Sequence, residues 1–274
     1  MFRFRLVLTI VGVIALTILT QIGGVALVLA LFLVRWVSSP YLRTIGTLAG
    51  FVAIYVAATV LVVPPLAAQF GRVPLSCAKD EAGHIQSPLY CALNRHYVTP
   101  QTSILADRLA THMDKAFPGT QTLFLDANFP FLDGFPLLPH LSHDDGRKLD
   151  IAFYYRDASG YRPGKTASPI GFWAFEEPLR DEPQPCGNRR DILTLRWDMT
   201  WFQAFNSKDL SLEPDRTAEA LRWLSEDGVA LGVEKILLEP HLKERMGLQN
   251  DVIRFQGCRA ARHDDHIHIQ VRLP

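Results

Sequence analysis

"RHDDHIHIQV", residues 262–271, decides how the end of this 274-residue chain folds. From His266 onward the residues alternate, with His266, His268 and Gln270 on one side and Ile267, Ile269 and Val271 on the other. Period-two alternation marks a half-buried β-strand, because successive side chains point to opposite faces. The segment predicts a strand whose apolar back sits in a core and whose front holds two imidazoles rigidly. Two imidazoles make a metal site only if other parts of the chain bring further ligands.

The stretch "SHDDGRKLD", 142–150, offers them. His143 and Asp150 flank a turn at Gly146, and Asp150 lies near the start of a predicted strand, 149–155. From that strand the Asp150 carboxylate can look into a cleft that the histidines of the last strand also face, which brings two imidazoles and one carboxylate together. That set suits Zn²⁺ and leaves a fourth position for water, whereas a structural zinc is usually closed by four protein ligands. The open position points to chemistry. Asp264 reads as part of a turn into the last strand, where aspartates are common. His140 reads either as a group orienting a ligand or as a loop residue. His84, His96, His112 and His241 lie outside the pattern and are expected at the surface.

Composition limits the remaining options. The 28 basic and 28 acidic side chains balance, and no basic stripe carries interleaved aromatics, so no nucleic-acid partner is expected. The four cysteines, Cys77, Cys91, Cys186 and Cys258, form no C-x-x-C pair, which argues against a thiolate zinc site. Two disulfides, Cys77–Cys91 and Cys186–Cys258, would suit an oxidising compartment; four free buried thiols are the alternative.

Residues 6–34 carry no charge and would extend about 43 Å as one helix, and 45–63 about 28 Å, against a hydrocarbon core of about 30 Å. Neither run has a polar face. The sequence therefore predicts a two-helix membrane anchor over 1–70, touching the bilayer through 6–34 and 45–63, and one soluble domain over 71–274. Arg3 and Arg5 precede the first run, and Arg35 and Arg43 lie between the two, so charge counting alone nearly ties on orientation.

Within the soluble part, spacing predicts a helix over 101–117 with Ser103 as a possible cap, strands over 120–129 and 149–155, and a long surface excursion over 156–190. A strand turning helical follows over 191–205, then a helix over 213–228 punctuated by Gly228. A strand over 233–239, a short helix over 240–247 and a strand over 251–257 precede the last strand. Helices and strands mix without regular β-α-β alternation, so the class is α+β with a mostly antiparallel sheet. Trp173, Trp197, Trp201 and Trp223 are expected in the core, although Phe172-Trp173 can also line a cleft.

His143-x-x-Gly146-x-x-x-Asp150 followed near the terminus by His266-x-His268 resembles the zinc-peptidase superfamily of lysostaphin-type and D-Ala-D-Ala metallopeptidases and the hedgehog signalling domain. Within it, His140-Leu141-Ser142-His143 and His263-Asp264-Asp265-His266-Ile267-His268, with the "VRL" that follows, are most similar to the penicillin-insensitive murein endopeptidases. The resemblance spans roughly 123–274 and is firm at these two motifs. The chain departs from the family pattern at Lys148, Ile267 and Pro139. The resemblance implies zinc held by His143, Asp150 and His268, active-site roles for His263 and His266, and hydrolysis of peptide bonds in peptidoglycan stem peptides or cross-links. A general base must reach the metal-bound water; the candidates in order are His266, Asp265 and His263. Such a substrate requires the domain to lie outside the cytoplasm, on a bacterial inner membrane. The competing expectations are a non-catalytic zinc-stabilised binding or signalling domain and a membrane protein whose histidines are incidental.

Overall fold

The computed structural model describes residues 2–79, 81–187 and 199–272. The amino-terminal part departs from the expected pair of spans. Helices α1 (Phe2–Thr20) and α2 (Gly23–Leu33) divide the first apolar run in two. The break falls at Gln21, whose φ of 66° lies in the left-handed region that ends helices. The chain then doubles back. Gly12 packs beside Leu27, and a Cβ on Gly24 would come within 2.7 Å of the Val13 carbonyl oxygen, so glycine permits the close return. Helix α3 (Pro40–Ala57) runs back alongside α2, with Gly46 against Val34 and Gly50 against Ala30. It continues through a π turn, Ala58–Val62, into α4 (Val63–Gln69). Among the described residues, only the helical stretch Pro40–Gln69 is long and apolar enough to cross a membrane, so the expectation of two such spans is corrected to one.

The rest of the chain is mixed α and β. Short strands β1 (Val73–Pro74), β2 (Gly83–Ile85) and β3 (Tyr97–Val98) surround helix α5 (Pro88–Ala92). Helix α6 (Pro100–Ala116) begins with proline at its first position and with the Thr99 hydroxyl accepting from the Thr102 N–H, so the cap is Thr99 and not Ser103. Its buried face of Leu105, Leu109 and Met113 follows the helical period. Strands β4 (Thr122–Phe124), β5 (Lys148–Ala152), β6 (Tyr155–Asp157) and β7 (Gly160–Tyr161) come next, then the short helix α7 (Thr200–Gln203) and β8 (Ser211–Leu212). Helix α8 (Pro214–Ser225) is capped at its start by Glu213 and ends at Glu226. Gly228 lies instead within a further short helix, α9 (Asp227–Ala230). Strand β9 (Val233–Leu237), helix α10 (Pro240–Arg245), strand β10 (Ile253–Arg254) and strand β11 (His266–Val271) complete the chain. The strand expected to open 191–205 lies outside the described residues, as does Trp197.

The main sheet runs β10-β9-β11-β5-β4-β2. Its centre is antiparallel and its two outer pairs are parallel. The alternation of the last strand is realised: Ile267, Ile269 and Val271 are fully buried in the core. Each such side chain stabilises the fold by about 1.5–3 kcal/mol relative to exposure, which fixes the pleat and turns His266 and His268 to the opposite face. Both expected disulfides, Cys77–Cys91 and Cys186–Cys258, are present. Trp223 is buried, while Trp201 is largely exposed.

Three histidines expected at the surface are buried: His84, His96 and His241. His96 stacks at a tilt on Tyr97, and its Nδ1 has no partner. Burial, partly offset by the Tyr90 carbonyl, lowers its pKa from 6.5 to about 4. The unfolded chain therefore takes up a proton first as pH falls, so this imidazole stabilises the fold at neutral pH and that stability is lost from pH 6.5 down toward 4. His96→Phe is expected to flatten urea-unfolding stability over that window, where the native residue costs about 1.4 kcal/mol per pH unit. An unchanged slope would remove His96 from the account.

Candidate metal centre

Asp150 and His268 are directly opposed partners on β5 and β11, so the antiparallel register brings a carboxylate and an imidazole face to face. His268 Nδ1 lies 2.8 Å from Asp150 Oδ1, His143 Nε2 lies 3.2 Å from the same oxygen, and the two ring nitrogens are 3.2 Å apart. Ligand atoms about 2.0–2.1 Å from a tetrahedral zinc sit about 3.3 Å from one another, close to this spacing. All three residues are buried.

His143 reaches this point from the loop before β5. Gly146 turns the chain there with φ of 78°, and a Cβ on it would lie 2.5 Å from the Arg72 guanidinium. Asn128 ties the turn on both sides, accepting from the Gly146 N–H at 2.9 Å and donating to the Lys148 carbonyl at 2.8 Å. His143 Nδ1 donates to the Ala127 carbonyl at 2.7 Å. In the neutral ring that leaves only a lone pair on Nε2, facing a carboxylate oxygen. A proton or a metal cation must offset that contact. Asp150 Oδ2 is also buried and accepts no hydrogen bond. The donor set, its spacing and the orphaned oxygen fit a bound cation.

Electrostatics agree with an ionised carboxylate at the centre. Burial alone would raise the Asp150 carboxyl, but the His143 and His266 rings and hydrogen bonds from His143 and His268 hold it well below its ordinary value. Burial lowers His268 to about 4 despite Asp150, favouring the neutral ring a metal needs. His143 is shifted up, because Asp150 outweighs burial.

His263, Asp265 and His266 come together beside the trio. Asp265 Oδ1 lies 2.5 Å from His266 Nδ1, and its Oδ2 accepts from the Trp173 N–H at 2.6 Å. Trp173 thus holds the carboxylate that holds the imidazole. Burial would lower His266, yet Asp265 and Asp150 raise it to about 9. His263 is pushed well below its ordinary value by burial and by the His266 and His268 rings. It also forms a second compact group of donors with His266 and His268. A third grouping, Cys77, Cys91 and His96, has its sulfurs engaged in a disulfide.

His140 Nδ1 lies 2.7 Å from Asp126 Oδ2 and 3.5 Å from Asp150 Oδ2, so it lies against the carboxylate at the centre of the cluster. Asp126 in turn receives two hydrogen bonds from Arg95, both at 2.6 Å. Burial would raise Asp126, but Arg95 and His140 hold it below its usual value. Asp126, Asn128, Arg95 and Trp173 are supporting residues that the motifs do not contain; the polar Asp126 and Asn128 just after the apolar strand β4 are a sequence signal for two of them. Breaking a buried pair strands the remaining charge, so Asp126→Ala or Arg95→Ala is expected to lower unfolding stability by about 3–5 kcal/mol. A change below about 1 kcal/mol in denaturant titration would contradict the buried pairing.

The cleft over these groups holds about 580 Å³ and is walled mainly by apolar side chains, among them Leu138, Leu141, Phe172, Phe175 and Leu237. Phe172 and Trp173 line it, the alternative the sequence left open for them. Its cation is Arg262, which also pairs with Asp264 and lies over the Phe175 ring at 4.0 Å. Asp264 is more than a turn residue: it is buried, and burial, offset by Arg262, lifts its pKa to about 7. Arg147 pairs with Asp145, and Lys148 with Asp144 and Asp145.

No known protein family matches this chain, and no curated protein matches it significantly.

Proposed function

We propose that this chain is a membrane-anchored zinc metallopeptidase of the lysostaphin and D-Ala-D-Ala peptidase type that hydrolyses peptide bonds in peptidoglycan stem peptides or cross-links. The observation that carries the reading is the Asp265–His266 pair set against Asp150, with His266 Nε2 3.6 Å from Asp150 Oδ1. A purely structural metal site has no use for an oriented imidazole beside its ligands, which favours turnover over a zinc-stabilised binding domain.

His143, Asp150 and His268 would hold the ion. Zinc bound there would supply a water of lowered pKa and polarise the scissile carbonyl. With the ion's charge offsetting Asp150, His266 would be neutral and would take the proton of the attacking water, later delivering it to the leaving amine. Asp265, ranked second as a base, acts instead by fixing the His266 tautomer, because both its oxygens are engaged. His263, on the same wall, is placed to donate to the developing oxyanion. His140, held by Asp126, lies against Asp150 and limits where its carboxylate can move. The peptidoglycan substrate rests on the motif resemblance.

The helical arrangement supports an extracytoplasmic domain on a bacterial inner membrane. The outward faces of α1, α2 and α3 are apolar, with Val11, Val25, Phe32, Leu48 and Val52 exposed. Because α1 and α2 are antiparallel and α2 and α3 are antiparallel, Arg3, Arg5, Arg35 and Arg43, the only charges before Arg72, gather at one end. The other end meets the soluble domain. Positive residues favour the cytoplasmic side, which supports placing the domain outside. Two disulfides suit that compartment.

Purified full-length protein incubated with isolated peptidoglycan is expected to release soluble peptide-bearing fragments, and a chelator should stop the release. Intact peptidoglycan after incubation with the zinc-loaded protein would sink the substrate assignment.

A further inference from the structure

The loop 131–142 leaves the membrane-proximal end of the domain and arrives at the candidate metal centre. At its start the Phe131 N–H donates to Gln21 Oε1 at 3.1 Å, at the tip of the α1–α2 hairpin. The Phe131 ring packs on Phe70 and joins Ile22, Val63 and Ala67 in a small apolar cluster. Arg72 pairs with Asp133. Further along, Arg95 donates to the Leu138 carbonyl at 2.8 Å, and the adjacent Asn94 donates to the Tyr55 hydroxyl on α3 at 3.2 Å. The loop is thus fastened to the helical bundle at its start, and at Leu138 to Arg95, whose neighbour Asn94 reaches the bundle.

Between and beyond these ties it exposes large apolar side chains: Leu132 is 58% exposed, Leu138 49% and Leu141 50%. Leu89, also 50% exposed, lies on α5, which is tied to the bundle where the Ala92 carbonyl accepts from Tyr55 at 2.6 Å. An apolar patch of this kind on a water-soluble surface marks an interaction site, and here it continues from the apolar surface of the helices. Leu132 does not line the cleft, whereas Leu138 and Leu141 do; substrate contact alone therefore does not account for the patch.

We propose that Leu89, Leu132, Leu138 and Leu141 form an apolar lip that enters the headgroup region of the same bilayer that holds the helices. The proposal rests on the reading that the helices are membrane-embedded. It sets the Leu138–Leu141 wall of the cleft at the lipid surface, so the site meets peptides displayed at the membrane without the domain lifting away. Side chains anchoring at this depth are partly shielded from water.

The test uses full-length protein in lipid nanodiscs, with nitroxide labels on single cysteines introduced as Leu132→Cys, Leu138→Cys and Leu141→Cys. Val52→Cys on α3 reports the membrane interior. Ser159→Cys, in the β6–β7 turn, reports water, because Tyr161 there bonds to Gln121 at the start of β4, the end of the domain away from Phe131. Collision rates with oxygen and with a water-soluble nickel complex give the depth of each label. The lip labels are expected to show nickel accessibility at least several-fold below that of Ser159→Cys and above that of Val52→Cys. Lip labels as accessible as Ser159→Cys, beside a shielded Val52→Cys, would overturn the lip while leaving the anchor intact. A water-exposed Val52→Cys would overturn the membrane reading itself.

Discussion

The His266→Ala protein is expected to keep its zinc and to lose peptide hydrolysis by about 10²–10⁴-fold, the range a positioned general acid–base supplies. His266 shares a strand with the ligand His268 but points its Nδ1 at Asp265, and Asp265 is itself fixed by the Trp173 backbone. The ring therefore has one nitrogen committed to a carboxylate and the other facing the centre. Asp265→Asn should cost less, about 10–100-fold, because an orienting partner tunes the group it holds without replacing it. Measuring metal content beside kcat separates the roles. Loss of zinc in His266→Ala would make His266 a ligand, and retention of full activity would remove it from proton transfer.

Zinc binding itself is expected to vanish with His143→Ala or His268→Ala, each taking the metal content from about one ion per chain to near zero. Both rings approach Asp150 Oδ1, so removing either leaves two donors around a buried carboxylate. His263→Ala, by contrast, should leave the stoichiometry unchanged and lower turnover. Loss of zinc in His263→Ala with retention in His143→Ala would transfer the site to the other group of donors, His263, His266 and His268.

Much of this centre was legible in the sequence because its key pair is set by strand alternation. Once Ile267 and Ile269 are committed to the core, His266 and His268 have no choice of face, and a cross-strand register then delivers Asp150. The supporting groups were not legible for the opposite reason. Arg95, Asp126 and Trp173 act through contacts 14 to 92 residues away in sequence, which no local period encodes. The helical break at Gln21 was hidden because a uniformly apolar run has no polar face to fix its register or reveal a reversal. The glycines at 23 and 24 and the polar residues Thr17, Thr20 and Gln21 were the available signals. His84, His96 and His241 were misjudged because a neutral imidazole is buried at modest cost when stacked or bonded to a carbonyl, as His96 is on Tyr97 and His241 on the Glu176 carbonyl.

The Cys77–Cys91 and Cys186–Cys258 disulfides, the outward apolar helices and the clustered arginines bear on one another physically. Disulfides suit an oxidising compartment, and positive residues gathered at one end of a bundle favour leaving that end in the cytoplasm, so both features support the proposed orientation.

Anomalous diffraction at the zinc edge from crystals of the full-length protein tests the central claim most directly. The account predicts a single strong peak bounded by His143 Nε2, one Asp150 oxygen and His268 Nδ1, about 2.0–2.2 Å from each, with His266 outside the coordination sphere. A peak centred on His263 and His266, or none in zinc-soaked crystals, would contradict it.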